Sequence, residues 1–506
     1  MKRTRVRFAP SPTGPLHMGG VRTALYNYLI AKKNGGDFIL RIEDTDSHRF
    51  VPGAEEYIIE SLRWCGIVPD EGLDASGHVA VEPDERNPHA PYRQSQRRGI
   101  YRKYAEQLVE GGFAYYAFDT AEELEKARAE AEAAGQTFIY NASTRKALRN
   151  SLTLDAAEVA RLLQERTDWT IRFRMPENEV VEMDDAIRGH IEVNTSTLDD
   201  KVLWKRADEL PTYHLANIVD DHLMEVSDVI RGEEWLPSLP LHYLLYRAFG
   251  WERPTFAHLP LLLKPVGNGK LSKRDGDKMG FPVFPLQWTA PDGAVSRGYR
   301  EDGYFHDAFV NLLAMLGWNP GTEQEIFSMP ELIEAFSLEK VGKSGAKFNP
   351  DKAKWFNKEY LRMRSDEELA ELFMPILKEH GVDASAEFVR DVVALIKERA
   401  TFVNDFWGIC WYLFTAPQEY VEKDAAKFWK AENVVMAREA LESTDSAAAM
   451  EDYIRAKEWP MGKVMNCIRL ALTGSSNGLG IADIMRFIGR EEAVLRFRRA
   501  EERLLL

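Results

Sequence analysis

The chain has 506 residues, 45% of them hydrophobic and 29% charged, with 80 Asp and Glu outweighing 65 Lys and Arg for a net charge of −15. That length predicts several domains, each with ample core, and the acidic balance argues against indiscriminate binding to nucleic acid, so an RNA-binding face must be a local basic patch. No apolar run approaches a membrane span, and the scattered Cys65, Cys410 and Cys467 support neither a disulfide framework nor a metal site, which predicts a reducing cytoplasm.

Pro10 to Gly14 stand where the apolar core of a signal peptide would lie, so no secretion signal is expected. Arg5 to Ala9 alternate polar and apolar as a short strand, and the Pro10-Ser-Pro-Thr-Gly14 run then turns the chain. From Val21 the period changes: Val21, Ala24, Leu25, Tyr28 and Leu29 share one helix face. Gly35-Gly36 end the helix, and Asp37 to Ile42 return to strand composition. The product is a βαβ unit with His17, Gly19 and Gly20 at the mouth of its helix. A helix N-terminus offers unpaired N–H groups and the positive end of the dipole to phosphate. Glycines admit a nucleotide to the backbone, and a histidine adds a donor. On its own, H-x-G-G fits a structural strand–helix turn equally well.

Glu55 to Cys65 reads as an amphipathic helix stopped by Gly66, Asp70 to Pro91 as a loop, Arg97 to Glu110 as a helix and Phe113 to Phe118 as an aromatic strand. Thr120 to Glu123 form a capping box that opens a helix to about Ala134. Trp169 to Arg174 and Gly189 to Val193 alternate as strands. Tyr213 and Asn217 share a helix face. Asp220-Asp221-His222 reads as a helix end with a polar loop rather than a metal site, because no second ligand pair is near. Met224 to Ile230 is a strand that Arg231-Gly232 stop, with Glu233, Glu234 and Trp235 at its carboxyl edge, where doubly wound sheets bind ligands.

Gly267 to Asp277, GNGKLSKRDGD, is a mobile basic loop carrying Lys270, Lys273 and Arg274, suited to closing over a polyphosphate; by itself it also fits a solvated charge run. Gly280 to Gly303 is a Pro-, Gly- and aromatic-rich connection of no evident function. From Ala308 the chain turns helical, with capping boxes at Ser328 to Glu331 and Ser365 to Glu368, and helix follows helix from about 350. Arg93 to Arg98, Lys343 to Lys347 and Arg496 to Arg499 are candidate RNA contacts, each of which taken alone fits a solvated face. Trp355, Phe356, Trp407 and Trp411 are aromatic candidates for stacking on bases, with core packing as the ordinary alternative.

The H-x-G-G at His17 and the distant K-L-S-K-R resemble the two signatures of class I aminoacyl-tRNA synthetases. FAPSPTGPLHMGG, RIEDTD, YHLANIVDDHLMEVSDVIRGEEW and KLSKRDG, in that order, resemble the bacterial-type glutamyl-tRNA synthetases through most of the chain. The resemblance implies an α/β Rossmann-like catalytic domain with an α/β insertion, followed by an all-α anticodon-binding region. Its segments are the first Rossmann half at 1–100, an acceptor-binding insertion at 101–190, the second half at 191–260, a stem-contact region with the KLSKR loop at 261–345 and the helical anticodon domain at 346–506. The implied reaction joins L-glutamate to the 3′ end of tRNA(Glu) through a glutamyl-adenylate, releasing AMP and pyrophosphate. Mg²⁺ accompanies ATP, and activation waits for bound tRNA.

By the same resemblance His17, Lys270 and Lys273 are the catalytic contacts to phosphate, and Gly19, Gly20, Glu234 and Trp235 line the ATP site. Arg7, Ser11, Glu43, Tyr213, Asn217 and Arg231 hold glutamate. Arginine suits that role because its planar fork pairs bidentately with a carboxylate, never deprotonates and so disfavours glutamine. Many relatives carry a cysteine-ligated zinc in the insertion, but Ala117, Asp119 and Tyr140 to Thr144 include no cysteine, so no zinc is expected. A cytoplasmic monomer without membrane or DNA partners is the family default. A glutaminyl or tRNA-modifying relative is disfavoured by Ala9-Pro-Ser-Pro12 and the helical tail, and an inactive tRNA-binding protein by the intact His17 and Lys270 to Lys273. Members of the family divide between those that charge tRNA(Glu) alone and those that also charge tRNA(Gln).

Overall fold

The first strand, β1 (Arg5–Phe8), is buried at every position, apolar and charged alike. It pairs in parallel with β2 (Asp37–Leu40) across the helix α1 (Met18–Lys33). A parallel strand covered on both faces has no solvated side for its arginines, so each must find an internal partner. Arg5 pairs with Asp37 at 2.8 Å and Glu71 at 2.6 Å. The computed structural model describes residues 3–46 and 49–504, and the chain divides into two units, Met1–Ala353 and Lys354–Leu506.

Helix α1 starts at Met18, ahead of the Val21 where its apolar period begins, because His17 caps it: the His17 Nδ1 accepts from the Gly19 amide at 3.2 Å. Its end matches the double-glycine signal, Gly35 adopting φ +60°. Gly36 has a different reason to lack a side chain, since a Cβ there would meet the Thr4 carbonyl oxygen at 2.1 Å.

Next come α2 (Ala54–Trp64) and α3 (Arg98–Glu110), both close to their expected bounds. An inserted region follows: β3 (Ala114–Ala117), α4 (Ala121–Ala133), α5 (Ala156–Glu165), β4 (Thr170–Phe173), the hairpin β5 (Val180–Asp185) and β6 (Gly189–Asn194), then β7 (Val202–Lys205) and β8 (Leu210–Pro211). β3, β4, β7 and β8 form an antiparallel sheet in that order. The second half of the parallel layer is α6 (Tyr213–Leu223), β9 (Asp228–Gly232), α7 (Leu239–Phe249) and β10 (Thr255–Leu259), with β9 and β10 parallel and Arg231 opposite His258. Ser227 joins the halves: its amide donates to the Arg5 carbonyl at 2.8 Å, and its Oγ accepts from the Arg5 amide at 2.8 Å. This is the Rossmann-like layer expected, interrupted by a mixed insert.

Three local expectations are corrected. The strand expected at Met224 to Ile230 begins only at Asp228, because Met224 still bonds back to Asp220 and Glu225 turns the chain at φ +56°. Arg231 therefore lies inside the strand rather than ending it. The basic loop is partly helical. Past the short β11 (Leu262–Leu263), Lys273 and Arg274 open α8 (Lys273–Met279), which Ser272 and Asp275 cap reciprocally. The connection of no evident function, 280 to 303, packs on the mouth of α1: the Val283 carbonyl accepts from the Met18 amide at 2.9 Å, and Phe284 meets the His17 ring edge-on.

Among the described residues of the second unit every regular element is helical, including Asp366–Glu379, Ala386–Ile396, Ala431–Ser443, Met461–Thr473 and Ile481–Arg503. No helix among the described residues is long and apolar enough to cross a membrane.

Candidate active site

The carboxyl ends of β1 and β9 and the start of α1 surround two adjoining cavities. One, of about 490 Å³, is lined by Ser11, His17, Gly19, Gly20, Glu234 and Lys270 among others. The other, of about 230 Å³, shares Ser11, Gly20 and Glu234 with it and adds Arg7, Glu43, Tyr213, Asn217, Arg231 and Trp235. The expected site residues therefore converge, with one exception. Lys273 is exposed at the first turn of α8 and lines neither cavity.

The larger cavity presents hydrogen-bond donors and a lysine. The first turn of α1 carries no acidic residue to offset the positive end of its dipole. Burial, helped by the charge of Lys270, lowers the pKa of His17 to about 4, so the ring is neutral near pH 7. Its Nδ1 accepts from Gly19, which leaves the proton on Nε2, and that buried atom has no partner among the described residues. A neutral N–H donor on a cavity wall fits a phosphate oxygen. A Cβ at Gly20 would lie 2.5 Å from Leu16, whereas at Gly19 the nearest atom is 3.7 Å away, so Gly20 serves packing first. Lys270 Nζ lies 3.8 Å from Glu234 on the same wall.

The smaller cavity is governed by buried arginines. Arg41, fully buried, donates to Asp221 at 2.8 Å and to Glu43 at 2.9 Å. Arg7 donates to both oxygens of Asp221, at 3.1 and 3.3 Å. Glu43 also accepts from Asn217 at 3.1 Å. Burial pushes the Glu43 carboxyl up, and Arg41 opposes it without restoring the ordinary value. Asp220 takes Arg97 at 2.8 Å, Gln94 at 2.9 Å and Tyr101 at 2.8 Å. Asp220 and Asp221 are thus neither a metal site nor a polar loop. They lie inside α6 and neutralise Arg97, from the turn before α3, and Arg7 and Arg41, from β1 and the end of β2.

Arg231 differs. It is 4% exposed, yet no carboxylate pairs with it among the described residues. It donates to Tyr213 Oη at 2.8 Å and to His258 Nε2 at 3.0 Å, and it lies 3.3 Å from His242 Nδ1. Tyr213 in turn stacks on Trp235 with ring centres 4.1 Å apart. Arg22 also lacks a carboxylate, but it is spent on the carbonyl oxygens of Leu316 and Pro260. A buried charge without a counterion is expensive, so Arg231 gives the smaller cavity a positive wall suited to an anionic ligand.

Sequence reasoning missed Asp221, Arg41, His242 and His258. The first was within reach, since Tyr213, Asn217 and Asp221 form one i, i+4 stripe on α6. Three arginines of the basic clusters are engaged within the protein. Arg93 is tied to Glu55 at 2.5 Å, Arg97 is buried on Asp220, and Arg496 is buried against the carbonyl oxygens of Tyr412, at 2.5 Å, and Leu472, at 3.1 Å. Phe356 is core at 1% exposure, while Trp407 stacks on His380 at 4.0 Å.

Residues 3–355 match the family described as tRNA synthetases class I (E and Q), catalytic domain, and residues 368–501 match an anticodon binding domain. A glutamate–tRNA ligase of Porphyromonas gingivalis strain W83 is 57% identical over 513 residues, covering 99% of each chain. That of Bacteroides thetaiotaomicron is 54% identical over 512 residues with the same coverage. The crystal structure of a glutamate tRNA ligase from Elizabethkingia meningosepticum, in complex with its amino acid, superposes with a TM-score of 0.94 at 53% identity, covering 99% of this chain and 100% of that one.

Two outcomes follow from the buried charges. Asp221→Asn strands Arg7, leaves Arg41 with Glu43 alone and lowers the free energy of unfolding by about 3 kcal/mol, read from urea denaturation. His17 and His214 are both held near 4 by burial, against an ordinary value of 6.5. Between those values the unfolded chain binds protons that the folded chain refuses. Stability is therefore full above pH 6.5 and falls toward pH 4, and His214→Gln flattens this dependence in melting curves taken across that range.

Proposed function

The chain belongs to the class I tRNA synthetases (E and Q), and on that premise we propose that it ligates L-glutamate to the 3′ end of tRNA(Glu), using ATP, through a glutamyl-adenylate. The observation that carries the choice of amino acid is Arg231, a buried guanidinium without a counterion on the wall of the smaller cavity. A glutamate side chain brings the missing negative charge, and glutamine does not.

The glutamate carboxylate pairs with Arg231 beside the Tyr213 hydroxyl, and its α-ammonium faces Glu43, which Arg41 and Asn217 hold in place. Arg7, committed to Asp221 through Nε and Nη2, offers its Nη1. In the first step the α-carboxylate attacks the α-phosphorus of ATP, and the bond to the bridging oxygen breaks as pyrophosphate leaves. In the second a ribose hydroxyl of the terminal adenosine attacks the acyl carbon, loses its proton, and AMP departs. No protein nucleophile is required, so positioning and charge do the work.

His17 Nε2–H, the positive end of the α1 dipole and Lys270 receive the phosphates, with Glu234 and Trp235 flanking them. Lys273 joins when the segment from 267 to 279 moves inward over the phosphates. Among the described residues no three His, Cys, Asp or Glu side chains converge to hold a metal by themselves. Mg²⁺ bound with ATP would neutralise charge on the leaving pyrophosphate. A further cavity of about 320 Å³, lined by Ser11, Glu43, Arg49, Lys205, Tyr213 and Trp235, opens from the inserted sheet onto the same residues and is the route for the acceptor end. In the second unit a cavity of about 640 Å³, lined by Arg399, Trp411, Ser475 and Asn477, has the aromatic face and amide edges that read a splayed base.

The test is charging of purified tRNA(Glu) and tRNA(Gln) with labelled glutamate, ATP and Mg²⁺. Glutamate charging of tRNA(Glu) is expected. Charging of tRNA(Gln) as well extends the scope, and acceptance of glutamine in place of glutamate contradicts the reading of Arg231. Lys273→Ala is expected to lose adenylate formation, by about a hundredfold or more, with an unchanged melting temperature. Wild-type rates in that variant remove Lys273 from the mechanism.

A further inference from the structure

We propose that His258 is a positioning residue that aims the Arg231 guanidinium at the amino-acid substrate, and that Asp185 of the inserted hairpin fixes the imidazole tautomer in which it does so. The proposal rests on the reading of Arg231 as the cation for the substrate's side-chain carboxylate.

Arg231 on β9 and His258 on β10 are register partners in a parallel pair, and both are buried, at 4% and 0% exposure. A guanidinium only donates, so His258 Nε2, 3.0 Å from Arg231 Nε, must be the acceptor. The ring is then neutral with its proton on Nδ1, which lies 2.6 Å from Asp185 Oδ2 and donates to it. Asp185 is itself held at the end of β5. Its Oδ1 accepts from the amides of Arg188 at 2.8 Å, Ile187 at 3.0 Å and His258 at 3.3 Å.

The charge states agree with this order. Burial pushes the Asp185 carboxyl up, but the bonds from His258 and from the amides outweigh it and hold the acid below the usual carboxylate range. Burial lowers the His258 pKa, and the neighbouring charge of Arg231 adds to that, against the pull of Asp185. Asp185 is an anion, His258 neutral and Arg231 a cation.

The chemical use of a neutral acceptor is clear from the arginines nearby. Arg7 is oriented by a direct carboxylate, Asp221, which also cancels its charge. Arg231 is oriented by an imidazole at Nε and by Tyr213 Oη at Nη1, so its direction is set while its charge remains for a ligand. Asp185 stays one ring away. Direct contact would neutralise the guanidinium; a relay through His258 orients it instead.

The test is steady-state charging of tRNA(Glu) with glutamate and ATP varied separately. His258→Asn places an amide nitrogen where Nδ1 lay, keeping Asp185 satisfied but removing the acceptor for Arg231. It is expected to raise the KM for glutamate about tenfold or more, the worth of a hydrogen bond to a charged group, with the KM for ATP and the melting temperature unchanged. His258→Gln places an amide oxygen where Nε2 lay and is expected to restore most of the glutamate affinity. If His258→Asn melts early, Asp185→Asn, which leaves the ring in place but frees its tautomer, is expected to raise the glutamate KM in the same selective way. A wild-type glutamate KM in these variants, or a parallel rise in both KM values with no rescue by glutamine, overturns the proposal. Arg231→Lys separates the two readings. If it leaves the glutamate KM unchanged, the assignment of the pocket fails; if it raises that KM while the His258 and Asp185 variants do not, only the positioning role fails.

Discussion

Positive charge buried at the carboxyl ends of parallel strands is the constraint on which the rest of the catalytic unit depends. β1, the end of β2 and β9 bring Arg7, Arg41 and Arg231 to the same wall, and a sheet covered on both faces offers none of them water. The chain answers Arg7 and Arg41 with Asp221 and Glu43, and it answers Arg231 with neutral acceptors alone. That asymmetry makes a pocket out of a fold: the compensated arginines hold the frame, and the uncompensated one waits for an anion.

The phosphate side of the site follows a complementary logic. A helix mouth without acids, a neutral histidine with a spare N–H and a lysine on the facing wall present positive potential with little fixed charge. Keeping His17 neutral costs acid stability, since the unfolded chain takes a proton the folded one excludes. The neighbouring segment, 280 to 303, closes the rim through Val283 and Phe284 and keeps that histidine out of water.

Periodicity made the βαβ frame legible: the apolar face of α1, its double-glycine stop and the capping boxes at Thr120, Ser328 and Ser365 all stand where composition placed them. Motifs pointed to Arg7, Glu43, Tyr213, Asn217 and Arg231, which line one cavity. What stayed hidden depends on contacts across the chain. Asp221 looked like the polar end of a helix because its partners, Arg7 on β1 and Arg41 just past β2, are distant in sequence. Arg97 and Arg496 looked like surface charge, because local composition does not distinguish a solvated arginine from one that caps buried carbonyls or carboxylates. His258 carries no motif at all; only its register opposite Arg231 reveals it.

The most direct measurement is a crystal structure of the protein with L-glutamate bound. The side-chain carboxylate is expected within about 3 Å of the Arg231 guanidinium, at charge-assisted hydrogen-bond distance, with the Arg7–Asp221 pair intact. A glutamate whose side-chain carboxylate instead displaces Asp221 from Arg7, leaving Arg231 on its neutral partners alone, would contradict it.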